Sequence, residues 1–79
     1  MEGRSLNDAK LRGISSRKAI TAFEKAGGIV RKGKGSHINI KMPDGQLITI
    51  PVARELRIGL LKAAIRKAGL TDKEFADLL

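Results

Sequence analysis

Apolar residues recur along this chain with two different periods, and the switches between them mark out its elements. Ala19, Ala22, Phe23 and Ala26 follow the i, i+3, i+4, i+7 spacing of one helix face, widened by Ile20, and predict an amphipathic helix that Ser15 or Ser16 can cap. Gly27-Gly28 ends it, because a helix commonly closes on a residue of positive φ, which glycine adopts without steric cost. The period then falls to two. Ile29 to Lys32 reads as a short strand, and Ser36 to Met42 as a longer one with Ile38, Ile40 and Met42 on one face and His37, Asn39 and Lys41 on the other. Pro43-Asp44-Gly45 reads as a turn, and Gln46 to Pro51 returns as a third strand with Ile48 and Ile50 inward.

Helical spacing resumes from about Glu55, where Leu61, Ala64, Ile65 and Ala68 share a face until Gly69 stops it. Thr71 and Glu74 then have the spacing of a capping box that opens a short last helix, with Leu70 and Phe75 as its hydrophobic staple. Residues 1–14 are polar and weakly periodic and read as an N-terminal arm, leaving residues 15–79 as a single domain. The expected fold is α+β: a two-layer α-β-β-β-α arrangement with a short C-terminal helix, one sheet face packed on helices and the other open. The open face carries His37, Asn39 and Lys41.

Composition narrows what such a face can do. The 79 residues include two Phe, no Trp, no Tyr and no Cys, so aliphatics must build the core and neither a disulfide nor a thiolate metal site is available. No apolar run reaches the roughly 20 residues of a membrane span, and the amino terminus lacks a signal-peptide core; a cytoplasmic protein with no membrane partner is expected. Sixteen Lys and Arg against eight Asp and Glu leave a net charge of +8, which favours a polyanionic partner. The charge is also localised. No acidic residue lies between Glu24 and Asp44, whereas Lys25, Arg31, Lys32, Lys34 and Lys41 all do. Arg17 and Lys18 in the first turn of the first helix oppose its dipole, a cost that a nearby anion would offset.

Within that basic interval lies Gly35-Ser36-His37, which contains the only histidine of the chain. Histidine is the side chain that most readily both takes and gives a proton near neutral pH, and the cations around it would gather a phosphate. RNA supplies its own nucleophile. A base that deprotonates the 2′-hydroxyl, with cations stabilising the charge on the phosphorane, cuts the chain to a 2′,3′-cyclic phosphate and a 5′-hydroxyl, a reaction closed to DNA. Two-metal hydrolysis needs gathered carboxylates, and here they are scattered as Glu24, Asp44, Glu55 and a terminal cluster; no metal or other cofactor is expected. The candidate catalytic residue is therefore His37, supported by Gly35 and Ser36, with Arg31, Lys32, Lys34 and Lys41 as RNA-binding residues. Gly33 and Gly35 can serve close approach to phosphate or simply shape a turn. One histidine cannot be base and acid at once, so the enzyme should be slow. Few aromatics mean backbone-dominated, salt-sensitive recognition.

The order helix, strand, Arg-x-Gly-x-Gly-Ser-His, alternating strand, Ile-Thr-Ile-Pro, then a Lys/Arg-rich helix closing on Ala-Gly-Leu-Thr-x-x-Glu-Phe resembles the HicA family over roughly residues 15 to 79. These are small messenger-RNA-cleaving toxins (mRNA interferases) of toxin–antitoxin pairs. The resemblance implies a double-stranded-RNA-binding-like fold, His37 as the catalytic residue, and a heteromeric complex with a HicB-type antitoxin that covers the site. Two positions depart from the family pattern: Gly28 stands where many relatives carry an aromatic, and Val52-Ala53 where many carry a histidine or another polar group. A noncatalytic RNA-binding module of the same fold, or a domain whose basic face docks an acidic protein, would fit the charge pattern without using the histidine.

Overall fold

The computed structural model describes residues 6–79. Seven elements follow in order: α1 (Leu6–Lys10), α2 (Ser16–Lys25), β1 (Ile29–Lys32), β2 (His37–Lys41), β3 (Leu47–Pro51), α3 (Ile58–Lys67) and α4 (Asp72–Asp77). The strands form one antiparallel sheet in the order β1-β2-β3. This is the α+β arrangement that the pattern predicts, α-β-β-β-α with a short C-terminal helix, and one further short helix precedes it.

Local chemistry sets most boundaries. The Ser15 side chain accepts from the Lys18 amide at 3.1 Å, capping α2, and Gly27 at φ +99° ends it while the Gly28 amide donates to the Phe23 carbonyl. Between β2 and β3, Gly45 takes φ +92° and the Asp44 carboxylate accepts from the Gln46 amide, closing the hairpin. The capping box of α4 is formed in both directions, Thr71 amide to Glu74 Oε1 at 2.8 Å and Glu74 amide to Thr71 Oγ1 at 3.1 Å.

The core lies between the inner sheet face and the helices. Ile40, Met42, Ile48 and Ile50 are buried from the sheet, and Ala19, Ala22 and Phe23 of α2, Leu61 and Ile65 of α3 and Phe75 of α4 close over them. Phe23 and Phe75 meet with ring centroids 4.8 Å apart at 51°, a tilted pair worth about 0.5–1.5 kcal/mol beyond its area. Gly28 is locked into this packing: a Cβ there would lie 2.6 Å from Ile40 Cγ2 and 2.9 Å from the Phe23 carbonyl oxygen. Any side chain at position 28 would force this packing to shift.

Two stretches differ from the sequence pattern. Of the arm expected over residues 1–14, residues 1–5 lie outside the described residues, but the rest is ordered by tertiary contact. α1 packs against α4, Asp8 meets Lys62 at 2.6 Å, and Leu11 and Ile14 are buried in the same core as Phe23. Helical spacing suggested that α3 begins near Glu55, whereas it begins at Ile58. The Leu56 amide donates to the Ile14 carbonyl at 2.7 Å and its side chain is buried, which holds the backbone out of helical geometry until Arg57.

Candidate nucleic-acid interface and histidine site

Strand pairing decides which side chains stand together on the open face. His37 pairs with Pro51, Asn39 with Arg31 on one side and Thr49 on the other, and Lys41 with Ile29 and Leu47. Directly paired residues project from the same face, so His37, Arg31, Asn39, Lys41 and Thr49 share the side opposite the buried Ile40 and Ile48. His37 is exposed, and its ring makes no hydrogen bond to any described residue; its backbone amide donates to the Lys34 carbonyl at 3.1 Å.

Two glycines with different jobs shape the turn before it. Gly35 takes φ +59° in open space, so its need is conformational. Gly33 needs room instead: a Cβ there would stand 2.6 Å from the His37 carbonyl oxygen. Together they fold the basic turn tightly against the first residue of β2. Ser36 continues the β2–β3 ladder through its carbonyl, which accepts from the Val52 amide at 2.7 Å. Ser36 itself lies in the turn, outside the strand, and is exposed.

The sequence-predicted cations separate. Arg31 and Lys41 lie on the His37 face, and Lys34 is exposed in the turn three residues before the histidine. Lys32 pairs with Ile38 and so sits on the helix side of the sheet, exposed at the edge strand and away from His37. The register places it there; composition had grouped it with its neighbours.

Three open-face residues escaped the sequence reading. Ile29 (62% exposed) and Leu47 (42% exposed) flank Lys41 as exposed apolar side chains. Thr49 donates its hydroxyl to Asn39 Oδ1 at 2.9 Å, a contact between residues ten apart in sequence that only the register reveals. On the far side of α2, Lys10, Arg17, Lys18 and Lys25 rim a groove of about 540 Å³ floored by Ile14 and Leu78, which shares no residue with the histidine face.

Among the described residues, no three His, Cys, Asp or Glu side chains converge, and no helix is long and apolar enough to cross a membrane. No curated protein sequence matches the chain. A family model described as the HicA toxin of bacterial toxin–antitoxin systems matches residues 16–70, from the start of α2 through α3 and including the whole sheet with Gly35-Ser36-His37. With the match covering more than half of its length, the chain belongs to the HicA family of toxins, whose members are paired with a cognate antitoxin.

Proposed function

We propose that this toxin is a metal-independent endoribonuclease that cleaves messenger RNA in the cytoplasm through His37. The observation that carries the proposal is an exposed histidine ring, free of protein hydrogen bonds among the described residues, on the same sheet face as Arg31 and Lys41 and directly after the Lys34 turn. An imidazole so placed can approach a ribose while the cations hold the adjoining phosphate.

In the reaction, the His37 imidazole takes the proton of the 2′-hydroxyl as that oxygen attacks the adjacent phosphorus. The new P–O2′ bond forms, the P–O5′ bond breaks, and the products are a 2′,3′-cyclic phosphate and a 5′-oxygen that takes a proton from water or a lysine. Arg31 and Lys34 neutralise the charge that grows on the non-bridging oxygens, and Lys41 positions the strand. Ser36 and Gly35 support the site through the backbone that carries His37. A HicB-type antitoxin would silence the enzyme by covering this face, where Ile29 and Leu47 offer apolar contact beside the cations.

The test is incubation of the purified protein, with chelator present, with a labelled messenger-like RNA and its all-deoxy counterpart, comparing wild type with His37→Ala and identifying the new ends. Cyclic-phosphate and 5′-hydroxyl ends on RNA only, absent with the variant, are expected. RNA bound but uncut by both proteins would make the domain a noncatalytic RNA-binding module, and cutting that persists in His37→Ala would move the site elsewhere.

A further inference from the structure

We infer that Asn39 is a phosphate-binding donor of the histidine face, held in its working orientation by Thr49. The inference rests on the proposed endoribonuclease reading and adds to it a neutral contact that charge patterning does not reveal.

The Asn39 side chain has one acceptor oxygen and an NH2 group with two donor hydrogens. Thr49 Oγ1 donates to the oxygen at 2.9 Å, which turns the NH2 group away from Thr49, and no described residue accepts a hydrogen bond from it. Asn39 is only half-buried, so these donors can reach a ligand. Asn39 Cγ lies 3.5 Å from the position a Gly33 Cβ would take, so the side chain sits beside Gly33, the residue packed against the His37 carbonyl. Across the strand on the other side from Thr49, Arg31 also presents donors only.

Arg31 and the Asn39 amide thus bring donors that no described residue fills side by side on the face. A phosphodiester, which carries acceptors and no donor, can satisfy both at once. Asn39 and His37 are two residues apart on one strand, about 7 Å along the face, so a phosphate oxygen at Asn39 belongs to the same or the neighbouring nucleotide as the ribose at His37. A fixed amide donor gains strength as the oxygen it binds gains charge, so its effect falls on the chemical step. Thr49 acts through Asn39 as a positioning residue.

The experiment compares Asn39→Ala, Thr49→Val, Thr49→Ser and the Asn39→Ala/Thr49→Val double variant for kcat and KM of RNA cleavage, with thermal melts to confirm folding. Asn39→Ala is expected to lower kcat about 10- to 100-fold with a smaller change in KM. Thr49→Val should lower the same parameter about 3- to 10-fold, Thr49→Ser should restore it, and the double variant should be no slower than Asn39→Ala, because Thr49 has no separate route to the reaction. Asn39→Asp keeps the shape but replaces the donors with a carboxylate oxygen, and should lose at least as much as Asn39→Ala even where the alanine variant folds poorly. A kcat within twofold of wild type for Asn39→Ala, with His37→Ala inactive, would overturn the inference and leave the enzyme reading intact; so would independent, multiplying losses in the double variant.

A second arm measures RNA affinity in a His37→Ala background across salt concentrations, and stands even if His37 proves not to be catalytic. Asn39→Ala should weaken binding severalfold without changing the salt slope, since a neutral donor releases no counterion. Unchanged affinity would sink the phosphate contact.

Discussion

The two faces of strand β2 divide five residues between them and serve opposite ends. On the inner face, Ile40 is sealed between Ile48 and the helices, and even Gly28 behind it has no room for a methyl group. On the outer face, His37 and Lys41 are exposed, half-buried Asn39 lies between them, and of the three only Asn39 has a side chain bonded to a described residue. Stability is concentrated on one side of a single strand and the proposed chemistry on the other. Changes on the outer face can therefore alter activity while the domain stays folded.

The largest expected effect tests that separation directly. His37→Ala should lower cleavage by about 10²- to 10⁴-fold, the usual contribution of a general acid or base. Its melting temperature should stay close to that of the wild type, because the ring is exposed and unbonded. A melt lowered by many degrees would show that the outer face also holds the fold together. Ile40→Ala is the mirror experiment. Truncating a fully buried isoleucine costs about 2–5 kcal/mol, a large share of the stability of so small a domain, so urea denaturation should show a much lower midpoint.

Gly33→Ala couples the two faces. Its Cβ would press on the His37 carbonyl, so the backbone must move and carry the histidine with it. A loss of about 1–3 kcal/mol in stability is expected, together with a drop in cleavage larger than that loss explains. Gly35→Ala, strained only by its positive φ, would show whether the turn or the contact matters more.

A finer test separates neighbouring cations. Arg31→Ala should weaken RNA binding and reduce the slope of log affinity against log salt by about one, whereas Lys32→Ala, on the other face, should do neither. Equal effects from both would show that the sheet face does not define the binding surface.

The smallest effect lies far from the site. A hydrogen bond from Lys73 to Asp77, reinforced by their opposite charges, holds the Asp77 carboxyl below its usual range and raises the Lys73 ammonium above its own. A carboxyl lowered on folding adds stability above its unfolded titration and loses it as pH falls through the folded value; for the raised lysine the contribution is lost as pH rises through its folded value. Both groups are fully exposed, so Asp77→Asn should only slightly flatten the acid limb of the stability profile, and salt should erase the difference.

How much of this was legible before folding depends on how local each cause is. The cap at Ser15, the end at Gly27, the hairpin turn at Gly45 and the Thr71–Glu74 box each involve residues within a few positions of one another. The alternation from His37 to Met42 likewise announces its own two faces. α1 was not legible, because Leu11 and Ile14 just after it are too few to declare a period and are buried only in the assembled core. The start of α3 is not local either: a carbonyl 42 positions earlier, at Ile14, claims the Leu56 amide.

By itself, then, the sequence determined the order of the elements from α2 onward, the outward side of His37 and the positive charge around it, since these follow from neighbours along the chain and from charge. Tertiary structure alone decided which cations share the histidine's face, that Gly33 must lack a side chain, and that Thr49 holds Asn39. Each depends on hairpin register, and register in an antiparallel sheet is settled by how the buried faces of all three strands pack at once.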